Sequence, residues 1–256
     1  MQATTTGNNR TGIATAKDHV EKMLEANSLW APDVAADVSL SDKDRQIYII
    51  EAEAVGSIPP PTSARGKVKS GVNKLLGERP DVLMDKIGER IAFERGGTRL
   101  YEALIRKYEV LEELGASGAV SVPPELSGDD VHATMLRIRD EEHAHFLMLC
   151  EAMESLGGDP TAQTPCGDVI ATASLGLLQV VSDPRTTLAQ SLNAVLTAEL
   201  TDNAGWELLS ELAHEAGEDN LAERFTAALE QEEQHLVTVR AWVKALTLSP
   251  AATPAA

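Results

Sequence analysis

Apolar residues recur every three or four positions along most of the chain, and the strand-like alternation of Val, Ile and Thr is nearly absent, so the pattern predicts an all-helical protein. Four long amphipathic segments stand out. The first runs from Asp81, a cap residue after Pro80, to Gly115, and the second from the Ser127/Asp129 region to the Gly157-Gly158 pair. The third is expected to start at Asp183-Pro184, a cap followed by proline at the first helical position, and to end at Gly217. The fourth opens on Asn220 and Glu223, spaced like a capping box, and continues to about Leu246. A connection of about a dozen residues joins the first pair and a far shorter one the last, so each pair can close as an antiparallel hairpin. Between the pairs lies residues 159–182, whose middle, from Gly167 to Val181, has a helical pattern of its own.

Residues 17–55 hold two shorter amphipathic candidates, DHVEKMLEANSLW and DKDRQIYIIEAEAVG, and the Pro59-Pro60-Pro61 run, which no helix interior tolerates, ends them. The basic stretch with Arg65, Lys67, Lys69 and Lys74 reads as a solvated linker. Three regions follow from this punctuation: an N-terminal extension at 1–80, a four-helix bundle at 81–248, and a disordered tail at 249–256 (SPAATPAA).

The hydrophobic stripes also mark which polar residues face inward. On the second long helix Val131, Met135, Ile138, Leu149 and Met153 share a face with Glu142, and His145 lies one turn on. On the fourth, Leu221, Phe225, Ala228, Val239, Val243 and Leu246 do the same for Glu232, with His235 beside it. A carboxylate and an imidazole at i and i+3 reach one metal from one face. The other two helices each place a single carboxylate in such a stripe: Glu94 with Leu83, Ile87, Tyr101 and Ile105, and Glu199 with Leu188, Leu192, Val195 and Trp206. Four carboxylates and two imidazoles at one level suit two divalent first-row metals, and without cations they would be costly to bury.

Glu-x-x-His alone is a weak signal. Asp140 with His143, and Glu211 with His214, have the same spacing, and the helical projection puts both pairs on solvent-facing sides, the former together with Arg137, Glu141 and Glu151. What is specific is the repeat: a lone Glu on the first helix of a hairpin, Glu-x-x-His on the second, and an aromatic seven residues after each lone Glu, namely Tyr101 and Trp206. These two read first as core fillers and secondly as redox neighbours. Asp202, three residues after Glu199, is either a seventh ligand, an acceptor that orients an imidazole, or a surface residue.

With ERIAFERGGTRLYEAL, RDEEHAHF, TAELTDNAGW and EQEEQHLV as its four ligand segments, the chain from about 81 to 246 resembles the ferritin-like di-iron carboxylate superfamily, including bacterial ferritin-like domain proteins and, more loosely, rubrerythrin. The resemblance implies a ferritin-like bundle of two hairpins with a long central crossover. It implies Glu94 and Glu199 as terminal ligands of one metal each, Glu142 and Glu232 as the bridging pair, and His145 and His235 completing one metal apiece. Two iron ions, with manganese as the alternative, would then serve an oxidoreductase that takes O2 or H2O2 and an unknown reductant or small-molecule substrate. A ferroxidase that stores iron and a metal-free helical interaction protein are the competing readings. The two cysteines, Cys150 and Cys166, are too few for a rubredoxin-like site and fit a reducing compartment.

Charge narrows the partners. With 22 Lys and Arg against 40 Asp and Glu, the net charge of −18 disfavours nucleic acid and anionic membranes. The first twenty residues lack an apolar run of signal-peptide length, so a cytoplasmic location is expected, and a homo-oligomer with it.

Overall fold

The computed structural model describes residue 7 and residues 12–34, 37–60, 80–116 and 129–248. The basic stretch from Arg65 to Lys74, the tail from 249 and the segment around Ser127 lie outside the described residues. Among those described the secondary structure is helical throughout: α1 Lys17–Trp30, α2 Ser39–Glu51, α3 Pro80–Ala116, α4 Asp129–Ser155, α5 Pro165–Ser182, α6 Leu188–Glu215 and α7 Asp219–Leu248. The chain divides into two compact units between Ala54 and Val55.

The N-terminal unit carries α1 and α2, neither of which buries a residue. The α2 helix stops at Glu51 although its sequence pattern continues to Gly56, because residues 52–56 cover no apolar surface and helix propensity alone does not sustain another turn.

In the second unit the core forms two apolar clusters. One gathers Tyr101, Leu104, Met135, Ile138, Leu192, Val195 and Val239. The other gathers Ile87, Leu149, Met153, Trp206, Leu209 and Phe225. Each long helix contributes to both, and the order in which it meets them gives its direction. Helices α3 and α7 run from the second cluster to the first, whereas α4 and α6 run the opposite way. Consecutive helices α3–α4 and α6–α7 are therefore antiparallel, but α4 and α6 are parallel, and the chain has to travel the length of the bundle between them.

Helix α5 makes that journey, packed along α3 and α6. Its start is tied to α3 where the Cys166 amide donates to Asp85 Oδ1 at 2.9 Å, and its end where Lys107 Nζ donates to the Asp183 carbonyl at 3.0 Å. Thr164 caps it by accepting from the Gly167 amide, with Pro165 following in the first turn. Only one side of α5 meets the core. Among the described residues it is also the one helix long and apolar enough to cross a membrane by length and composition.

The start of α6 corrects the sequence expectation. The helix begins at Leu188, not at Asp183-Pro184, because Thr187 and Gln190 form a reciprocal capping box: the Gln190 amide donates to Thr187 Oγ1 at 3.2 Å and the Thr187 amide to Gln190 Oε1 at 2.8 Å. Asp183 is engaged elsewhere, closing a turn by accepting from the Arg185 amide at 2.9 Å. Helix α7 begins at Asp219, one residue ahead of Asn220. The tight reversal before it uses Gly217 at φ +69, a left-handed conformation in which glycine carries no Cβ penalty, while the Glu218 amide returns to the Ala213 carbonyl at 2.9 Å.

If this box sets the start of α6, Thr187→Ala removes about 1 kcal/mol. The expected result is a fall in Tm of about 2–4 °C, with Pro184→Ala changing it by much less; thermal unfolding followed by circular dichroism reads both.

Candidate metal centre

Between the two apolar clusters, at the middle of each long helix, lies a layer of polar side chains. Helix α3 supplies Arg90 and Glu94, α4 Glu142 and His145, α6 Glu199 and Asp202, and α7 Glu232 and His235; none is more than 4 % exposed. The α6–α7 register at this level is held by Asn203, whose Nδ2 donates to the carbonyls of Glu199 at 3.0 Å and Glu232 at 3.1 Å. On α3, Gly97 lets α4 come close: a Cβ there would overlap the Glu142 carboxylate.

The side-chain atoms form three overlapping sets, in each of which one ligand atom per residue lies within 4.8 Å of all the others. Glu94, His145 and Glu232 make one; Glu142, Glu199, Glu232 and His235 make the second; Glu94, Glu142, Asp202 and Glu232 make the third. Glu232 belongs to all three and Glu94 and Glu142 to two each, but only Glu142 and Glu232 share a set with both Glu94 and Glu199, which puts this pair in the centre, with Glu94 and His145 on one side and Glu199 and His235 on the other.

The imidazoles repeat each other. His145 Nδ1 stands 2.7 Å from Glu232 Oε1 and 3.8 Å from Glu94 Oε2. His235 Nδ1 stands 2.9 Å from Glu232 Oε2 and 3.7 Å from Glu142 Oε1. The far nitrogens are held the same way: His145 Nε2 by Gln231 Oε1 and His235 Nε2 by Glu141 Oε2, each at 2.8 Å. Gln231 and Glu141 each directly precede a central glutamate, so each histidine is oriented from the helix that carries the other. An acceptor at Nε2 keeps a proton there and leaves Nδ1 facing the carboxylates, where it donates to Glu232 when protonated and can bind metal once that proton is lost.

Several of these contacts lay outside the sequence reading. Glu141, projected onto the solvent side, is half-buried and reaches His235, because a long side chain on the flank of a helix can swing over the neighbouring helix. Arg90, 1 % exposed, is the largest omission. Its Nη2 donates to Glu94 Oε1 at 2.5 Å and also meets the Asp202 carboxylate, while its guanidinium covers the Phe93 ring at 4.6 Å. Asp202 thus faces a guanidinium and not an imidazole. The signal was legible, since Arg90 is one turn before Glu94 on the same stripe. Tyr101 does more than fill the core, as its hydroxyl donates to Glu199 Oε1. Trp206 is fully buried and meets the His145 ring edge-on at 5.4 Å. His143 and His214 are exposed, away from the layer.

Residues 125–249 match the family model of the ferritin-like domain. The chain carries a ferritin-like domain. The match spans α4 to α7, so Glu142, His145, Glu199, Glu232 and His235 fall inside it and Glu94 on α3 precedes it. Comparison with the curated proteins and with the solved structures gives no match.

In the layer of this ferritin-like domain Glu94 Oε2, Glu142 Oε2 and Glu199 Oε2 lack a hydrogen-bond partner, while Glu232 Oε1 has His145 Nδ1 alone and Asp202 has Arg90. Buried oxygens facing one another without donors call for cations, and the residues present fit a pair of metal ions. In the metal-free chain the same groups hold protons instead. Burial, with repulsion from Glu232, pushes Glu94 and Glu142 up to about 8, the nearby Arg90 only partly offsetting it at Glu94. Burial raises Glu199 well above the carboxylate range. For Glu232 burial acts in the same direction, but the two histidines outweigh it and hold the group down at about 2. Burial would lower His235, yet its carboxylate neighbours push it up to about 11, and Glu232 raises His145 in the same way.

These shifts give the metal-free protein a definite pH dependence. Glu94 and Glu142 keep protons in the folded chain that the unfolded chain releases near 4.5, so their stabilisation is complete below that value and is lost as pH rises through about 8. The contribution of His235 is complete below its ordinary 6.5 and is lost toward about 11, whereas that of Glu232 is lost only on acidification toward about 2. The Tm in the presence of chelator is therefore expected to fall between about pH 5 and 8, and bound metal to flatten the slope, because metal requires the deprotonated carboxylates. A chelated Tm that climbs over this window would contradict the assignment.

Proposed function

We propose that the ferritin-like domain holds two iron ions, with manganese as the alternative, between Glu94, Glu142, His145, Glu199, Glu232 and His235, and acts as an oxidoreductase on O2 or peroxide. The observation that carries this reading is the convergence, from four helices, of buried carboxylates and imidazoles with too few hydrogen donors for the oxygens they bring. Four carboxylates balance two divalent cations, and Arg90 with Asp202 adds no net charge. When bound, such a metal pair supplies two electrons together to an oxidant.

The chain's own residues define the surroundings of that chemistry. Glu142 and Glu232 would serve both metals, while Glu94 and Glu199 would each serve one. Gln231 and Glu141 orient the histidines and fix their tautomers. Arg90 steers Glu94 and Tyr101 steers Glu199, so both outer carboxylates are pinned at one oxygen and keep the other for metal. The flanking clusters, with Ile138 on one side and Phe225 on the other, keep water away, which favours oxidant chemistry over the passage of many hydrated ions.

Metal content of purified variants checks the ligands. Glu142→Ala and Glu232→Ala are each expected to reduce about two metals per chain to one or none, while His143→Ala and His214→Ala leave the content unchanged. Glu141→Gln is expected to weaken binding by about ten- to a hundredfold, through the orientation of His235. Retention of the full content in both alanine variants at the central glutamates would overturn the assignment.

Reactivity is checked separately by anaerobic loading with Fe(II), oxidant addition in a stopped-flow instrument, and iron loading of the same preparation. Consumption of oxidant in proportion to two irons, with turnover when a reductant is supplied, is the expected result. Accumulation of tens of irons per chain would instead establish storage.

A further inference from the structure

Beside the metal layer, between α3 and α5, lies a cavity of about 150 Å³. Its floor includes the buried Phe93, Leu100 and Ala198 and the partly buried Leu178, and Gly97, the residue packed against the Glu142 carboxylate, also lines it. Its exposed rim includes Arg95, Gly96 and Arg99. The one other polar side chain in the lining, Ser174, donates its hydroxyl to the Ile170 carbonyl of its own helix.

Three features distinguish this cavity. First, its floor touches the neighbours in sequence of Glu94 and Glu199 and the helical wall against Glu142, so it lies at the level of the metal layer. Secondly, neither Arg95 nor Arg99 makes a hydrogen bond or ion pair among the described residues, in a chain whose acidic residues outnumber its basic ones by 40 to 22. Thirdly, α3 places Gly96 at the rim, where an added Cβ would meet nothing within 4 Å. Glycine inside a helix costs about 1 kcal/mol relative to alanine, and no turn or positive φ calls for it here. Its effect is to keep the mouth open.

We propose that this cavity binds a small organic acid, its apolar body against the floor and its carboxylate at Arg95 and Arg99. The volume matches a body about the size of a benzene ring. Planar guanidinium groups suit a carboxylate, and no acidic side chain lines the cavity to oppose one. The proposal deepens the oxidoreductase reading and rests on it for its meaning, since a molecule held here would be the organic substrate, but the binding itself does not depend on bound metal.

Benzoate and benzyl alcohol, equal in ring and different in charge, are the probes. Ligand-observed NMR titrations on the full chain, with and without iron, are expected to show benzoate bound about tenfold more tightly than the alcohol. Arg95→Gln/Arg99→Gln should remove that preference while leaving the alcohol's affinity as it was. Gly96→Leu should abolish both, with metal content and Tm at or above those of the wild type, since the new side chain enters open space. Equal binding of the two probes, benzoate binding that survives Gly96→Leu, or no binding of either would overturn the proposal. Metal content on the same samples separates the two ideas: benzoate binding as expected in a chain that takes up no metal would leave the cavity standing and remove the oxidoreductase reading.

Discussion

The fold is organised around the cost of burying carboxylates that have no hydrogen donors. A lone ionised carboxylate in an apolar interior is so unfavourable that it takes up a proton or acquires a cation. Here four glutamates and Asp202 share one layer, and their oxygens compete for two imidazoles, one guanidinium and one phenol. The supply falls short at one oxygen each of Glu94, Glu142 and Glu199. Helix direction, the Asn203 bridge between α6 and α7, and the glycine that admits Glu142 all bring these groups closer than their mutual repulsion would allow alone.

The layer is nearly, but not fully, two-fold symmetric. Each imidazole is braced from the opposite helix by the residue before a central glutamate, and one brace is a carboxylate, Glu141, while the other is an amide, Gln231. The outer glutamates differ in the same sense: Glu94 rests on a guanidinium, Glu199 on a phenol. The two halves would thus present cations with unlike fields although their donor sets match. Arg90 sharpens this, since its positive charge lies on the Glu94 side and is matched there by Asp202.

Much of this was legible in the sequence, because the helical period of 3.6 residues sorts inward from outward positions on long, regular helices. Glu94, Glu142, His145, Glu199, Glu232 and His235 are all buried in one layer, and the solvent-facing reading of His143 and His214 agrees with their exposure. The period says little about long side chains on the flanks of a stripe, which is why Glu141 and Gln231 were passed over. It also cannot rank competing caps: Asp183-Pro184 and Thr187-x-x-Gln190 are both plausible helix starts, and the reciprocal pair of hydrogen bonds decides for the latter. Arg90 was missed for another reason. A stripe is read by its apolar members, and a buried cation among them registers as an interruption unless a carboxylate one turn away is counted with it.

Each long helix threads first one apolar cluster and then the other, and between the clusters the buried polar layer is the level at which all four meet through polar side chains. A cation pair bound there would fasten four distant stretches of chain at a single point. Topologically it would be a four-way crosslink that closes every loop of the bundle at once, and the loop entropy withheld from the unfolded chain would add to the contacts made. Metal occupancy would accordingly govern how cooperatively the two half-cores come apart: joined at the waist they melt as one body, and with the fastening removed each end is free to open on its own.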